Sequence, residues 1–298
     1  MYNIIMRPKI YLVKAFSSVT TALGGLVYSF HKKIKGVNSK FNLRYAHDNK
    51  KQKLDVFYPE NDGDKKYPII VYFHGGGWAC YDKKLYVTFM RRLSAMGYVV
   101  FSCNYSLAPK HKIGDILNDA KLALKFACEN AKKFGGNSDI IALGGDSADA
   151  HIATTLTLMT KEDENFNKIK ALLLYYGAFD LTSAVKTGFN NIKDYIGSIV
   201  EGGLSNESEL KYWSPYFKDL KGFPPTFLAS GEIDKLHATQ SRAFSEKLKE
   251  SGVKTKTVFF PKKETRAAHA FMNFDGLETT NKVLNETEEF LADEVPER

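Results

Sequence analysis

An α/β fold built on a mostly parallel sheet is predicted by three features of the sequence. After residue 50, short runs rich in β-branched and aromatic residues alternate with helical patterns. The intervals between runs are long enough for a helix, the connection that parallel strands require. Two runs, 98–105 and 171–177, are apolar almost throughout, as strands buried on both faces are. The chain of 298 residues has room for a sizeable core.

The strands are expected at 53–59 (KLDVFYP), 68–74 (PIIVYFH), 98–105 (YVVFSCNY), 140–144 (IIALG), 171–177 (ALLLYYG), 225–230 (PTFLAS) and 254–260 (KTKTVFF). Helical patterns fall at 83–96, 115–134, 148–162, 237–251 and 281–293. Residues 181–216 interrupt the alternation with helical patterns but no good strand. An insertion of this kind between two strands is expected to form a lid. There is no internal repeat, low-complexity tract or obvious linker. The expected organisation is an N-terminal arm over 1–50 and one domain over 51–298 carrying the lid.

Composition excludes several function classes. Hydrophobic residues at 44% and charged residues at 26% rule out general disorder. Three cysteines, Cys80, Cys103 and Cys128, are too few and too scattered for a disulfide scaffold or a Cys-based zinc site. Cys103 and Cys128 read as reduced core thiols, which favours a cytoplasmic setting. No His-Glu-x-x-His, cysteine pair or dinucleotide fingerprint occurs, so no metal or organic cofactor is expected. The net charge of +8 belongs to one end of the chain. Residues 1–66 carry 13 basic and 5 acidic side chains, and the remainder carries 29 of each. A nucleic-acid-binding surface spread over the body is therefore not expected.

Within the arm, Leu12, Phe16, Val19, Leu23, Leu26 and Phe30 recur every three or four residues, placing them on one helical face. Lysines and an arginine flank the stretch. Three readings stay open: a helix packed on the body, an interfacial helix giving peripheral membrane contact through residues 1–35, and a signal peptide or true span. A mid-segment Lys14 and the lack of a small-x-small cleavage site count against the last.

The sharpest chemical signal is Gly145-Asp146-Ser147, directly after the strand 140–144 and before the helix 148–162. A Ser on such a turn is lifted from the sheet edge, with a helix N-terminus behind it. Small neighbours are needed there, and Gly144, Gly145 and Ala148 supply most of them. Alone the tripeptide is indistinguishable from an ordinary helix cap. It is joined by His74-Gly75-Gly76-Gly77-Trp78 after the strand 68–74, a glycine run whose backbone N–H groups can approach an oxyanion. No Gly-Lys-Ser/Thr follows, so this is not a phosphate loop. A Ser nucleophile needs a base and the base an orienting acid. Asp234 lies just past the strand 225–230 and His269 past 254–260. Glu232 is the rival acid, and the other histidines are poorly placed.

These residues resemble the hormone-sensitive-lipase-like branch of the α/β-hydrolases, the bacterial carboxylesterases. The matching segments are HGGGW (74–78), NYSLAPKH (104–111), GGDSA (144–148), SPYF (214–217), GEIDKL (231–236) and HAFMNF (269–274), in the family's order. The resemblance implies an α/β-hydrolase fold with a helical lid. It implies Ser147, Asp234 and His269 as a catalytic triad. It also implies an oxyanion hole from the N–H groups of Gly76, Gly77 and Ala148, with Gly75 shaping the same loop. Trp78, Tyr81 and Asp146 are expected at the substrate, and the lid aromatics Phe189 and Tyr195 could complete an apolar pocket.

The expected activity is hydrolysis of a small-molecule ester with a short to medium acyl chain through an acyl-enzyme. Two alternatives remain: an arylformamidase-like amide hydrolase, suggested by Trp78, and a catalytically impaired member that binds a ligand. A homodimer is left open. The chain departs from the family at Asp149, where the elbow usually has Gly, and at Ala270, where His-Gly-Phe is usual. Asp149 is expected to strain the turn and, as an anion, to raise the pKa of His269.

Overall fold

The computed structural model describes residues 10–11, 33–60, 65–161, 163 and 166–295. Apart from Ile10 and Tyr11, the apolar face of the arm lies outside them. Ile10 itself is buried within the larger core cluster. Among the described residues, no helix is long and apolar enough to cross a membrane.

Eight strands form one sheet: β1 (Val37–Arg44), β2 (Lys53–Pro59), β3 (Tyr67–Phe73), β4 (Val99–Cys103), β5 (Gly136–Asp146), β6 (Ile169–Tyr175), β7 (Thr226–Gly231) and β8 (Thr255–Phe260). Their spatial order is β1-β2-β4-β3-β5-β6-β7-β8. β4, β3, β5, β6, β7 and β8 are parallel to their neighbours, and β1 and β2 add an antiparallel margin. The helices are α1 (Val87–Ala95), α2 (Ile113–Asn130), α3 (Ala148–Met159), α4 (Leu181–Ala184), α5 (Ile192–Ile199), α6 (Glu207–Tyr212), α7 (Ala243–Glu250) and α8 (Glu278–Glu294).

The period of two along each strand divides the core. Ile69, Val71 and Phe73 of β3 join the cluster under α2, α3 and α7. Ile70 and Tyr72 join the cluster under α1 and α8. Ile141 and Leu143 of β5 separate from Ile140 and Ala142 in the same way. The sheet is thus covered on both faces, as its continuous apolar strands require. The insertion 181–216 carries α4, α5 and α6 and no strand.

Two elements differ from the sequence reading. Residues 37–44, placed in the arm, pair with β2 as a strand. Their side chains are mostly exposed, so no apolar alternation marks them. β5 begins at Gly136, ahead of its apolar run, because partly exposed Asn137, Ser138 and Asp139 precede Ile140. Cys80 and Cys103 are buried, while Cys128 is half-buried.

A buried charge pair ties the antiparallel margin to the body. Lys83 and Asp55 lie 2.8 Å apart, each 1% exposed. β1 bulges between Lys40 and Leu43, with Asn42 at φ 60. The bulge lets Asn42 N donate to Asp55 Oδ1 at 2.7 Å while Lys83 Nζ donates to Asn42 Oδ1 at 2.9 Å. Lys83→Met would leave Asp55 buried and uncompensated. Equilibrium denaturation should show a loss of about 3–5 kcal/mol.

Candidate active site

Ser147 sits between β5 and α3 at φ 55, ψ −123, a backbone conformation that a residue with a Cβ rarely adopts. The turn is pinned on both sides. Ser147 N donates to Tyr175 O at 2.8 Å, and Ala178 N donates to Ser147 O at 3.3 Å. Gly145 must be Gly, because a Cβ there would run into the Asp149 carbonyl as α3 turns back. The hydroxyl projects at the N-terminus of α3.

Ser147 Oγ lies 2.8 Å from His269 Nε2, and His269 Nδ1 lies 2.7 Å from Asp234 Oδ2. With Nδ1–H donating to Asp234, Nε2 is free to accept from the Ser hydroxyl. Asp234 is itself held, its Oδ1 accepting from Leu236 N at 3.0 Å. The loops bearing Asp234 and His269 meet because Gly231 has no Cβ and Ala267 packs directly on it. His269 is 19% exposed and carries two aromatic walls. Tyr176 packs 5.1 Å away and Phe189 of the insertion 4.5 Å away, both edge-on.

The glycine loop stands opposite. Gly76 at φ 147 and Gly77 at φ 61 adopt conformations that favour glycine. Their N–H groups have no acceptor among the described residues. A Cβ on Gly77 would fall 2.6 Å from the Tyr195 ring of α5, so the insertion rests directly on this loop. Gly75 N donates to Asp146 Oδ1 at 2.8 Å. Asp146 also accepts from Tyr72 at 3.2 Å and Tyr86 at 3.0 Å. Burial raises the Asp146 pKa to about 6 despite these three donors. His74 Nδ1 donates to Gly75 O at 3.0 Å, and burial lowers its pKa to about 4, which keeps it neutral. Between loop and elbow lies a cavity of 220 Å³, closed from the insertion side by Phe189, Ile192 and Tyr195.

A sequence profile described as alpha/beta hydrolase fold matches residues 70–273. The chain belongs to this family. Its relatives include Esterase LipQ of Mycobacterium tuberculosis, 27% identical over 72% of this chain and 53% of that protein. Carboxylesterase NlhH of the same species is 28% identical over 70% of this chain and 67% of that protein. The chain thus spans only about half the length of LipQ. Esterase B from Lactobacillus rhamnosis superposes with a TM-score of 0.81 at 21% identity, covering 98% of this chain and 96% of that one. Fold and family resemblance thus agree with the sequence reading.

The structure brings most of the hydrolase residues singled out in the sequence to one place. Ser147, Asp234 and His269 are in register, and Gly75, Gly76, Gly77, Trp78, Tyr81, Asp146 and Ala148 all line the cavity. Two of these residues are already engaged by each other. The Gly75 N–H is committed to Asp146 and is not an oxyanion donor. Asp146 lines the cavity while its carboxylate accepts from the loop and from two tyrosines. Glu232, the rival acid, pairs with Arg242 at 2.7 Å. His151 donates to Trp213 O at 2.6 Å and faces away. Among the described residues no group of three or more His, Cys, Asp or Glu could hold a metal ion. Tyr72, Tyr86 and Tyr176 were not anticipated. Each lies in or beside an apolar run, where a tyrosine reads as core.

The two family departures have different outcomes. Ala270 takes φ 66, the left-handed region that costs a Cβ-bearing residue about 1–2 kcal/mol. Asp149 lies inside the first turn of α3 without positive φ, so the strain expected there is absent. Burial pushes its carboxyl well above the usual range, opposed by a contact with the Tyr105 hydroxyl and reinforced by the charge of Asp146. Ala270→Gly should raise the free energy of unfolding by up to about 1 kcal/mol, the relieved strain less the added backbone entropy, as measured by denaturant titration.

Proposed function

We propose that this protein is a carboxylesterase acting on small esters with short acyl chains, with Ser147 as nucleophile. The observation that carries this reading is the unbroken relay from Asp234 through His269 to Ser147, at 2.7 and 2.8 Å. His269 Nε2 takes the Ser147 proton as Oγ attacks the ester carbonyl. Asp234 fixes the imidazole tautomer and stabilises the imidazolium. The N–H groups of Gly76, Gly77 and Ala148 bind the oxyanion, each donor being worth about 10²–10³ in rate. His269 returns the proton to the leaving alkoxide, giving an acyl-enzyme. Water, deprotonated by the same histidine, then releases the acid.

The names of LipQ, NlhH and Esterase B agree with ester chemistry. The cavity, at 220 Å³, is smaller than the usual ligand pocket of about 300–1,000 Å³, which favours the short end of the acyl range. Trp78 and Tyr81 line it with the insertion's aromatics. The binding-only alternative was motivated by Asp149 and the altered His269 loop, and the hydrogen-bonded relay is intact beside both, which supports the catalytic reading. Nothing in the site favours an amide over an ester.

Hydrolysis of p-nitrophenyl acetate, butyrate and octanoate tests the reading. Turnover should fall by at least about 10⁴-fold in Ser147→Ala. Butyrate should be cleaved with a higher kcat/KM than octanoate. Unchanged turnover in Ser147→Ala would sink the mechanism, and a preference for octanoate would sink the short-chain assignment.

A further inference from the structure

A second cavity, of 250 Å³, shares no lining residue with the catalytic one. The catalytic cavity takes Ala148 from the start of α3. The second takes Thr155, Leu158 and Met159 from the C-terminal half of that helix and closes against Tyr212, Trp213 and Pro215 of the insertion. Trp213 is fixed at both ends. Its Nε1 donates to Glu209 Oε2 at 2.6 Å, and its carbonyl accepts from His151 at 2.6 Å. A wall held in advance lowers the ordering cost of binding. Met159 and Tyr212, 47% and 59% exposed, leave apolar surface open to water.

Two polar groups in this lining lack partners. Thr154 and Thr157 in α3 and Thr160 at its end each return the hydroxyl hydrogen to the carbonyl four residues back, at 2.7, 2.8 and 3.2 Å. Thr155 does not. It is 7% exposed, and its hydroxyl has no hydrogen-bond partner. A buried hydroxyl is costly to leave in that state. Lys218 is the second group. Its ammonium lies 4.3 Å from the centroid of the Tyr212 ring, over one wall of the cavity. Among the described residues no carboxylate pairs with it, and the adjacent Asp219 reaches Lys161 at 3.4 Å instead.

These features select one ligand chemistry. A carboxylate accepts from a hydroxyl and from an ammonium. One lysine balances one negative charge. An apolar tail covers Met159 and Tyr212 and gains by leaving water. The cavity volume keeps that tail short.

We propose that this cavity is a second ligand site, taking a small carboxylate with an apolar tail. It lies apart from the ester-cleaving centre and does not depend on the esterase reading.

The chain has two tryptophans, Trp78 and Trp213, and of these only Trp213 lines the second cavity. In a Trp78→Phe background the remaining indole therefore reports occupancy. Titration with sodium hexanoate should give a saturable fluorescence change at millimolar concentration, and 1-hexanol should bind more weakly. Thr155→Val keeps the shape and removes the hydroxyl. It should weaken hexanoate by about three- to tenfold. Lys218→Gln should weaken it by up to about fivefold and erase its advantage over hexanol.

The absence of a saturable change would overturn the proposal. Equal affinity for hexanoate and hexanol would overturn the carboxylate assignment. Calorimetric titration of the wild-type chain, Thr155→Val and Lys218→Gln repeats the comparison without the Trp78 substitution. The same order of affinities supports the site. Hexanoate affinity unchanged by both variants would place the ligand in the catalytic cavity and overturn the proposal.

Discussion

The carboxylate of Asp146 is the constraint on which the site's geometry depends. It stands one residue before Ser147 and captures Gly75 N, at the opposite wall of the cavity. Elbow and glycine loop are therefore fastened together by one side chain, not merely brought near by the sheet. Tyr72 and Tyr86 complete the hydrogen bonding of this buried carboxylate. The attachment needs Gly75 to lack a side chain, since a Cβ would lie 2.5 Å from Asp146 Oδ2. Burial of such a group would be costly without donors, and the donors it recruits are those that shape the loop.

The sheet supplies the remaining precision. β3, β5, β7 and β8 run parallel, so the glycine loop, Ser147, Asp234 and His269 all emerge at the C-terminal edge. From the other side, the insertion presses Tyr195 on Gly77 and Phe189 on His269. These rings cover part of the imidazole and of the glycine loop. Electrostatic interactions at the reacting atoms gain strength in consequence. Because Tyr195 fills the space a Cβ on Gly77 would occupy, the position of α5 and the shape of the loop are mutually determined.

Much of this was legible in the residues, and the parts that were not share a cause. The glycine run and the elbow are marked by small residues adjacent in sequence, and the strands by long apolar runs. Asp234 and His269 could be placed because loops after parallel strands share an edge. β1 escaped notice because its exposed residues carry no alternation. Tyr72 escaped because it belongs to the apolar run of β3, and only its hydroxyl contact with Asp146, 74 residues away, sets it apart. Asp149 is the instructive case. Its type and position read as an anion at a helix start, but full burial beside Asp146 raises its pKa well above the usual range. Local pattern fixes backbone and exposure well, while proton positions depend on neighbours the chain supplies from elsewhere.

Ser147 and His269 are separated by 122 residues, and the insertion 181–216 enters the chain between them. Contacts of such sequence separation form late, after the loop-closure cost has been met. During synthesis the elbow, the glycine loop and the insertion all exist before the imidazole does. A chain interrupted anywhere ahead of β8 would display a serine with nothing to take its proton. Under the proposed mechanism, incomplete products lack their base, and the appearance of activity would report that the last strand has joined the sheet.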